Sequence, residues 1–188
     1  MLHTLVVNVE DRPGVLNRVA SLFRRRAFNI TSLTVGPTEK AGVSRMTIVV
    51  DTDESGAERL TANLYKLVSV LRVENITAAP SVVRDLAMIK VAAPAETRTA
   101  LIHLVHVFRA RIVDVAPESL VIEITGTEDK IDSLLEVLRP YGVLEMARTG
   151  RVAMARGSRP LNSKDVVPAA AEAGEVVPAG EDSSIYSV

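Results

Sequence analysis

Cysteine and tryptophan are absent from this 188-residue chain, and the aromatic share is only 3%. Without cysteine there is no disulfide, no thiolate metal site and no thiol nucleophile, and a reducing cytoplasm fits. So few aromatic rings argue against a base-stacking surface and against an aromatic-lined catalytic cleft. Charge of one sign is missing as well. The 22 Lys and Arg residues against 23 Asp and Glu leave a formal net charge of −1, where a general nucleic-acid binder would be distinctly basic. No apolar run approaches the ~20 residues that cross a bilayer. Met1-Leu2-His3 leads straight into strand-like sequence, with no basic n-region and no apolar h-region. The expectation is a soluble, cytoplasmic protein with neither a membrane nor a nucleic acid as partner.

Signatures of chemistry are missing too. Neither GxGxxG nor GxxxxGK[ST] occurs, and no serine sits in a nucleophile elbow. Asp11, Asp51, Asp53 and Glu54 fall at element ends, where acids serve as caps and turn formers. His103 and His106 are three apart on an expected helix, but the further ligands that zinc requires are not placed with them. They read as a surface pair. No catalytic site, no metal site and no cofactor are expected on this chain.

What is present is a globular composition, 47% hydrophobic and 24% charged, enough for one domain of ordinary size or two small ones. Leu5, Val7 and Val9 alternate with Val6, Asn8 and Glu10, the period of a strand. From Gly14 the period changes: Val15, Leu16, Val19, Leu22 and Phe23 make one apolar helix face. Arg24-Arg25-Arg26 closes that helix, where cations are favoured. They read as a solvated helix end or a docking surface for an acidic partner. Residues 29–35 and 45–50 read as strands around a loop holding Gly36-Pro37 and Ala41-Gly42. Asp53-Glu54-Ser55 starts a second helix, with Ala57, Leu60, Thr61, Leu64 and Leu67 at helical spacing. Residues 68–76 close the unit as a strand.

The order β-α-β-β-α-β then repeats. Residues 86–91, 112–115, 120–125 and 143–147 read as strands, and 94–107 and the stretch after Thr127 as helices ended by Pro140 and Gly142. The best reading is an α+β chain of two ferredoxin-like βαββαβ domains in tandem, duplicated at a period of roughly 80 residues. The boundaries are 1–78, a linker at 79–85, and 86–157. Residues 158–188 are rich in Ala, Gly, Pro, Ser and acid, keep no apolar period, and read as a disordered tail.

One stretch invites a ligand. Pro13-Gly14 breaks the first strand and opens the first helix, with Pro suited to the first helical position. Gly14 lets a ligand approach the backbone, and free N–H groups at a helix N-terminus seat a carboxylate. Any strand-to-helix turn can use Pro-Gly, and Asn29 reads equally as a left-handed residue closing the helix. On spacing alone the site stays open.

Resemblance narrows it. D-R-P-G-V-L at 11–16, F-N-I at 28–30, S-L-T-V at 32–35, S-R-M-T-I at 44–48 and K-L-V-S-V-L-R-V at 66–73 together resemble the regulatory (small) subunits of acetolactate synthase, or acetohydroxyacid synthase. The first half is similar to that family's ACT domain. I-V-D-V at 112–115, G-T-E-D-K-I-D at 126–132 and E-M-A-R-T-G at 145–150 carry the resemblance to about Gly157. It implies a chain with no active site of its own. Its partner would be the catalytic (large) subunit, which carries thiamine diphosphate, Mg²⁺ and FAD. The small subunit would raise that partner's activity and confer feedback inhibition by a branched-chain amino acid, usually valine. The effector would sit between two ACT domains of a homodimer. Carried over, the site is Asp11, Arg12, Pro13, Gly14, Val15 and Leu16 of one chain, facing Asn29 and Ile30 of the other. Some relatives have Asn where this chain has Asp11. The matching turn of the second half, Ala92-Ala93-Pro94-Ala95, lacks the glycine, so one type of effector site is expected. The alternative is a stand-alone amino-acid sensor acting on another target.

Overall fold

The structure, a computed structural model, describes residues 1–157. The expected tail at 158–188 lies outside them. The elements run β1 (Leu2–Glu10), α1 (Val15–Arg25), β2 (Ile30–Pro37), β3 (Val43–Asp51), α2 (Glu54–Leu64) and β4 (Val70–Asn75), then β5 (Ser81–Ala92), α3 (Ala95–Val107), β6 (Arg111–Ala116), β7 (Ser119–Gly126), α4 (Glu128–Leu138), β8 (Val143–Arg148) and β9 (Val152–Ala155). Two antiparallel sheets result, ordered β2-β3-β1-β4 and β6-β7-β5-β8, so each half carries the ferredoxin-like topology.

Helical and strand periods decide the packing. In the first half Leu5, Val7 and Val9 of β1 and Met46, Ile48 and Val50 of β3 meet Val15, Val19, Leu22 and Phe23 of α1 and Leu60 and Leu64 of α2. The second half repeats this with Ala87, Ile89 and Val91 of β5 against Leu101 and Val105 of α3 and Ile131, Leu134 and Leu138 of α4. Asp53 caps α2, its Oδ1 accepting from the Gly56 N–H at 2.7 Å. Leu67 lies beyond the end of α2 but still packs against the first core.

Two local expectations change, and one burial adds to the reading. Gly36 and Pro37 belong to β2, pairing with Arg45 and Ser44 of β3. Proline is tolerated there because β2 is an edge strand with no ladder bond to lose on its outer side. The segment 79–85 enters β5 at Ser81, and Ser81–Arg84 pairs with β9, a strand absent from the sequence reading. Val6 belongs to the alternate set of β1 yet is only 3% exposed, because Ile76 and Ala153 cover it on the helix-free face of the first sheet.

Candidate functional site

The turn after β1 is built by backbone. The Asp11 N–H donates to the Gly42 carbonyl at 2.8 Å, tying it to the β2–β3 loop, and the Arg12 N–H donates to the Glu10 carbonyl at 3.0 Å. Gly14 is the residue before α1, at φ 83°, and no side chain caps the helix. Pro13 therefore stands one residue before the cap and not at the first helical position. The left-handed turn forced by Gly14 intervenes, and the helix proper begins at Val15. A Cβ built on Gly14 would meet nothing within 4 Å, so the space above the turn is open. The first turn of α1 also contains no acid. Its leading N–H groups lack intrahelical partners and carry the positive end of the helix dipole.

The side chains divide. Asp11, Arg12, Pro13 and Gly14 are exposed, and Arg12 pairs loosely with Glu10 at 3.6 Å. Leu16 is 44% exposed, an apolar side chain left at the mouth of the turn. Val15 is different. The residue is 4% exposed and belongs to the first core, and its backbone N–H already donates to the Arg12 carbonyl at 3.3 Å. Asn29 is exposed, and Ile30 is half-buried against the core. The left-handed position after α1 is taken by Ala27, at φ 57°, so Asn29 is not the closing residue of the helix.

The two parts of the expected site do not meet within one chain. Ile30 pairs with Val50, which pairs with His3 at the start of β1. The Gly14 turn follows Glu10, at the other end of the same strand. Seven residues of extended chain separate these levels, ~24 Å at the usual rise. Surface grooves of about 400 Å³ lie elsewhere. One runs along α4 beside Asp129, Asp132 and Arg139, and another lies between the ends of α1 and α2 beside Arg25, Arg26 and Lys66.

The matching turn of the second half is bridged by a side chain of its own helix. The Arg98 guanidinium donates to the Ala93 carbonyl at 2.7 Å, to the Ala116 carbonyl at 2.8 Å, and to the Pro117 carbonyl. This clamp escaped the sequence reading; an arginine four residues after Pro94 was its signal. Arg98 thus ties the start of α3 to the turn between β6 and β7. His103 and His106 are exposed, and among the described residues no group of three or more His, Asp or Glu side chains could hold a metal ion. No helix of the described residues is long and apolar enough to cross a membrane.

Comparison with known proteins decides the family. Residues 5–72 match the AHAS small subunit-like ACT domain, and residues 84–157 match the family described as the small subunit of acetolactate synthase. A probable acetolactate synthase small subunit of Archaeoglobus fulgidus is 52% identical over 159 residues, covering 85% of this chain and 99% of that protein. The chain belongs to the acetolactate synthase small-subunit family. The small subunit of Mycolicibacterium smegmatis is 54% identical over 157 residues, 84% of this chain and 92% of its own. The crystal structure of the Thermotoga maritima small subunit superposes with a TM-score of 0.79 at 40% identity, covering 85% of this chain and 99% of that one. The tandem ACT-like fold and a regulatory, non-catalytic place in an acetolactate synthase follow from membership of this small-subunit family.

Proposed function

We propose that this small subunit activates the catalytic subunit of acetolactate synthase and makes it sensitive to feedback inhibition by valine or another branched-chain amino acid, bound between two copies of the chain. One observation carries the reading: the Gly14 turn and Asn29-Ile30 stand at opposite ends of one sheet whose edge strand is β2. If two copies pair β2 to β2 in antiparallel fashion, Ile30 of one lies beside Pro37 of the other. Pro37 pairs with Ser44, and Ser44 with Val9, just before the turn. The partner's Asn29-Ile30 then reaches the end of the sheet where Gly14 lies, and a homodimer completes two sites.

In such a site the leading N–H groups of α1 take the effector's carboxylate. The Asn29 amide helps to hold the α-amino acid head, since it both donates and accepts. Leu16 and Ile30 meet the aliphatic side chain. An ionised Asp11 favours the ammonium group. Discrimination among Val, Leu and Ile is modest, because one methylene in an apolar pocket is worth ~1–3 kcal/mol. Inhibition then requires only that the effector bind two states of the complex unequally. Thiamine diphosphate, Mg²⁺ and FAD are assigned to the catalytic subunit, and this chain supplies no ligand to them.

The test mixes the purified chain with its catalytic subunit, those three cofactors present, and follows acetolactate formation with and without valine, leucine or isoleucine. The expected result is a faster rate with the small subunit and a fall in rate on adding one of the amino acids. No activation and no effector response would overturn the proposal.

A further inference from the structure

The segment between β8 and the end of β9 crosses from the second half to the helix-free face of the first sheet, and its first contacts there fall on the strand that begins with Ile30. A Cβ at Gly150 would lie 2.6 Å from Thr34 Oγ1, 2.7 Å from the Leu33 carbonyl oxygen and 2.8 Å from Ser32 Oγ. Only a residue without a side chain fits so close to β2. The next residue fastens the contact, its backbone N–H donating to Ser32 Oγ at 2.8 Å.

The side chain of Arg151 then joins both halves. Its guanidinium donates to Thr4 Oγ1 on β1 at 3.3 Å and pairs with Glu128, the first residue of α4, at 2.9 Å. The strap is held further along by Arg45 of β3, which donates to the Ala153 carbonyl at 2.7 Å. Burial draws the pKa of the Arg45 guanidinium down, opposed by nearby Glu74 and Glu39. Beyond it, β9 pairs with the first residues of β5.

We infer that this strap, through Arg151, passes effector occupancy at the start of β2 to the second half of the molecule. The inference rests on the effector role proposed above. A ligand seated at Asn29-Ile30 bears on β2, and the helix-free face of β2 is met by Gly150 and Arg151. Any displacement of Ser32 shifts the Arg151 backbone directly. The same residue holds Glu128 at the helix start of the other half, so the motion has a continuous, hydrogen-bonded route rather than mere proximity. Arg151 is a positioning residue in this account and touches no effector.

The experiment uses the full chain assembled with its catalytic subunit and compares wild type, Arg151→Met and Ser32→Ala. Valine affinity is read by calorimetry, and the factor by which saturating valine slows the reaction is read from acetolactate formation. Both variants are expected to bind valine within twofold of wild type while that inhibition factor shrinks ~2- to 30-fold. A merely structural role would leave that gap closed. Glu128→Gln combined with Ser32→Ala should give a non-additive shift, because the two residues act through one arginine. Inhibition unchanged in Arg151→Met, or affinity and inhibition lost in parallel, overturns the inference. If Arg151→Met fails to fold, Ser32→Ala, which removes only one hydroxyl, decides it alone. A wild-type complex that ignores valine, leucine and isoleucine is a different failure: it overturns the proposed function, and the inference falls with it.

Discussion

Replacing Gly14 by alanine separates the turn's two roles. The residue sits at φ 83°, a conformation that costs an L-residue with a Cβ ~1–2 kcal/mol. The added methyl meets no atom within 4 Å, so no steric term adds to that backbone cost. At ~2–4 °C per kcal/mol for a chain of this size, the melting temperature should fall by ~2–8 °C, and the protein should remain folded and able to join its catalytic subunit. Effector binding should suffer far more. The methyl enters the open space at the turn, and a carboxylate bound there on the leading N–H groups of α1 would take charge-assisted hydrogen bonds worth ~1.5–3 kcal/mol. Loss of one such bond weakens valine by about 10- to 150-fold. Calorimetric titration and thermal melts on the same preparation measure both effects. Affinity within twofold of wild type would remove Gly14 from the site. A melting shift well beyond 10 °C would mean that the turn is packed and not open.

Other perturbations follow from the same geometry. Arg98→Met should leave the Ala93, Ala116 and Pro117 carbonyls without their charged donor and cost ~2–3 kcal/mol in chemical denaturation, while the calorimetric stoichiometry of valine stays unchanged. Arg148→Met should cost ~3 kcal/mol or more, because it abandons the Asp85 carboxylate, only 6% exposed and held at 2.8 Å by that guanidinium. Adding Asp85→Asn should recover part of the loss, and an additive double mutant would refute the pairing. Asp53 has a pKa drawn below the usual carboxylate value, first by the Gly56 N–H and then by the Ser55 hydroxyl. Its charge therefore stabilises the fold above the unfolded carboxylate pKa and ceases to do so as the pH falls through the lower folded value. The melting difference between wild type and Asp53→Asn should be constant near neutrality and shrink in strong acid.

Most of the fold could be read from periodicity because each element buries one continuous stripe. Leu5, Val7 and Val9 announce a strand, and Val15, Val19, Leu22 and Phe23 a helix, and all seven lie in one core. Asp53 was legible as a cap because it acts three residues along the chain. What escaped depends on partners far away in sequence. The four residues of β9 make too short a run for alternation to show, and their pairing strand lies about seventy residues earlier, at Ser81–Arg84. Val6 falls outside the Leu5, Val7 and Val9 set, and the residues that cover it, Ile76 and Ala153, lie far along the chain. The expected site was half legible. Gly14 announces its left-handed turn and helical spacing turns Val15 inward, but nothing local tells that Ile30 stands at the far end of the sheet. Only strand register shows that.

The unbroken run of β5 has a consequence for how this molecule can be divided. A duplicated gene suggests two beads that can be cut apart, expressed singly or exchanged. Here one strand serves two sheets: Ser81–Arg84 is the bed for β9, and the residues after it are the centre of the second sheet. A chain stopped after residue 78 loses more than its second half. It uncovers Val6, leaves Arg45 without its carbonyl acceptor and exposes the helix-free face of its own sheet. The copies have become mutually dependent, and the modular boundary visible in the sequence is no longer a place where the protein can be cut without loss.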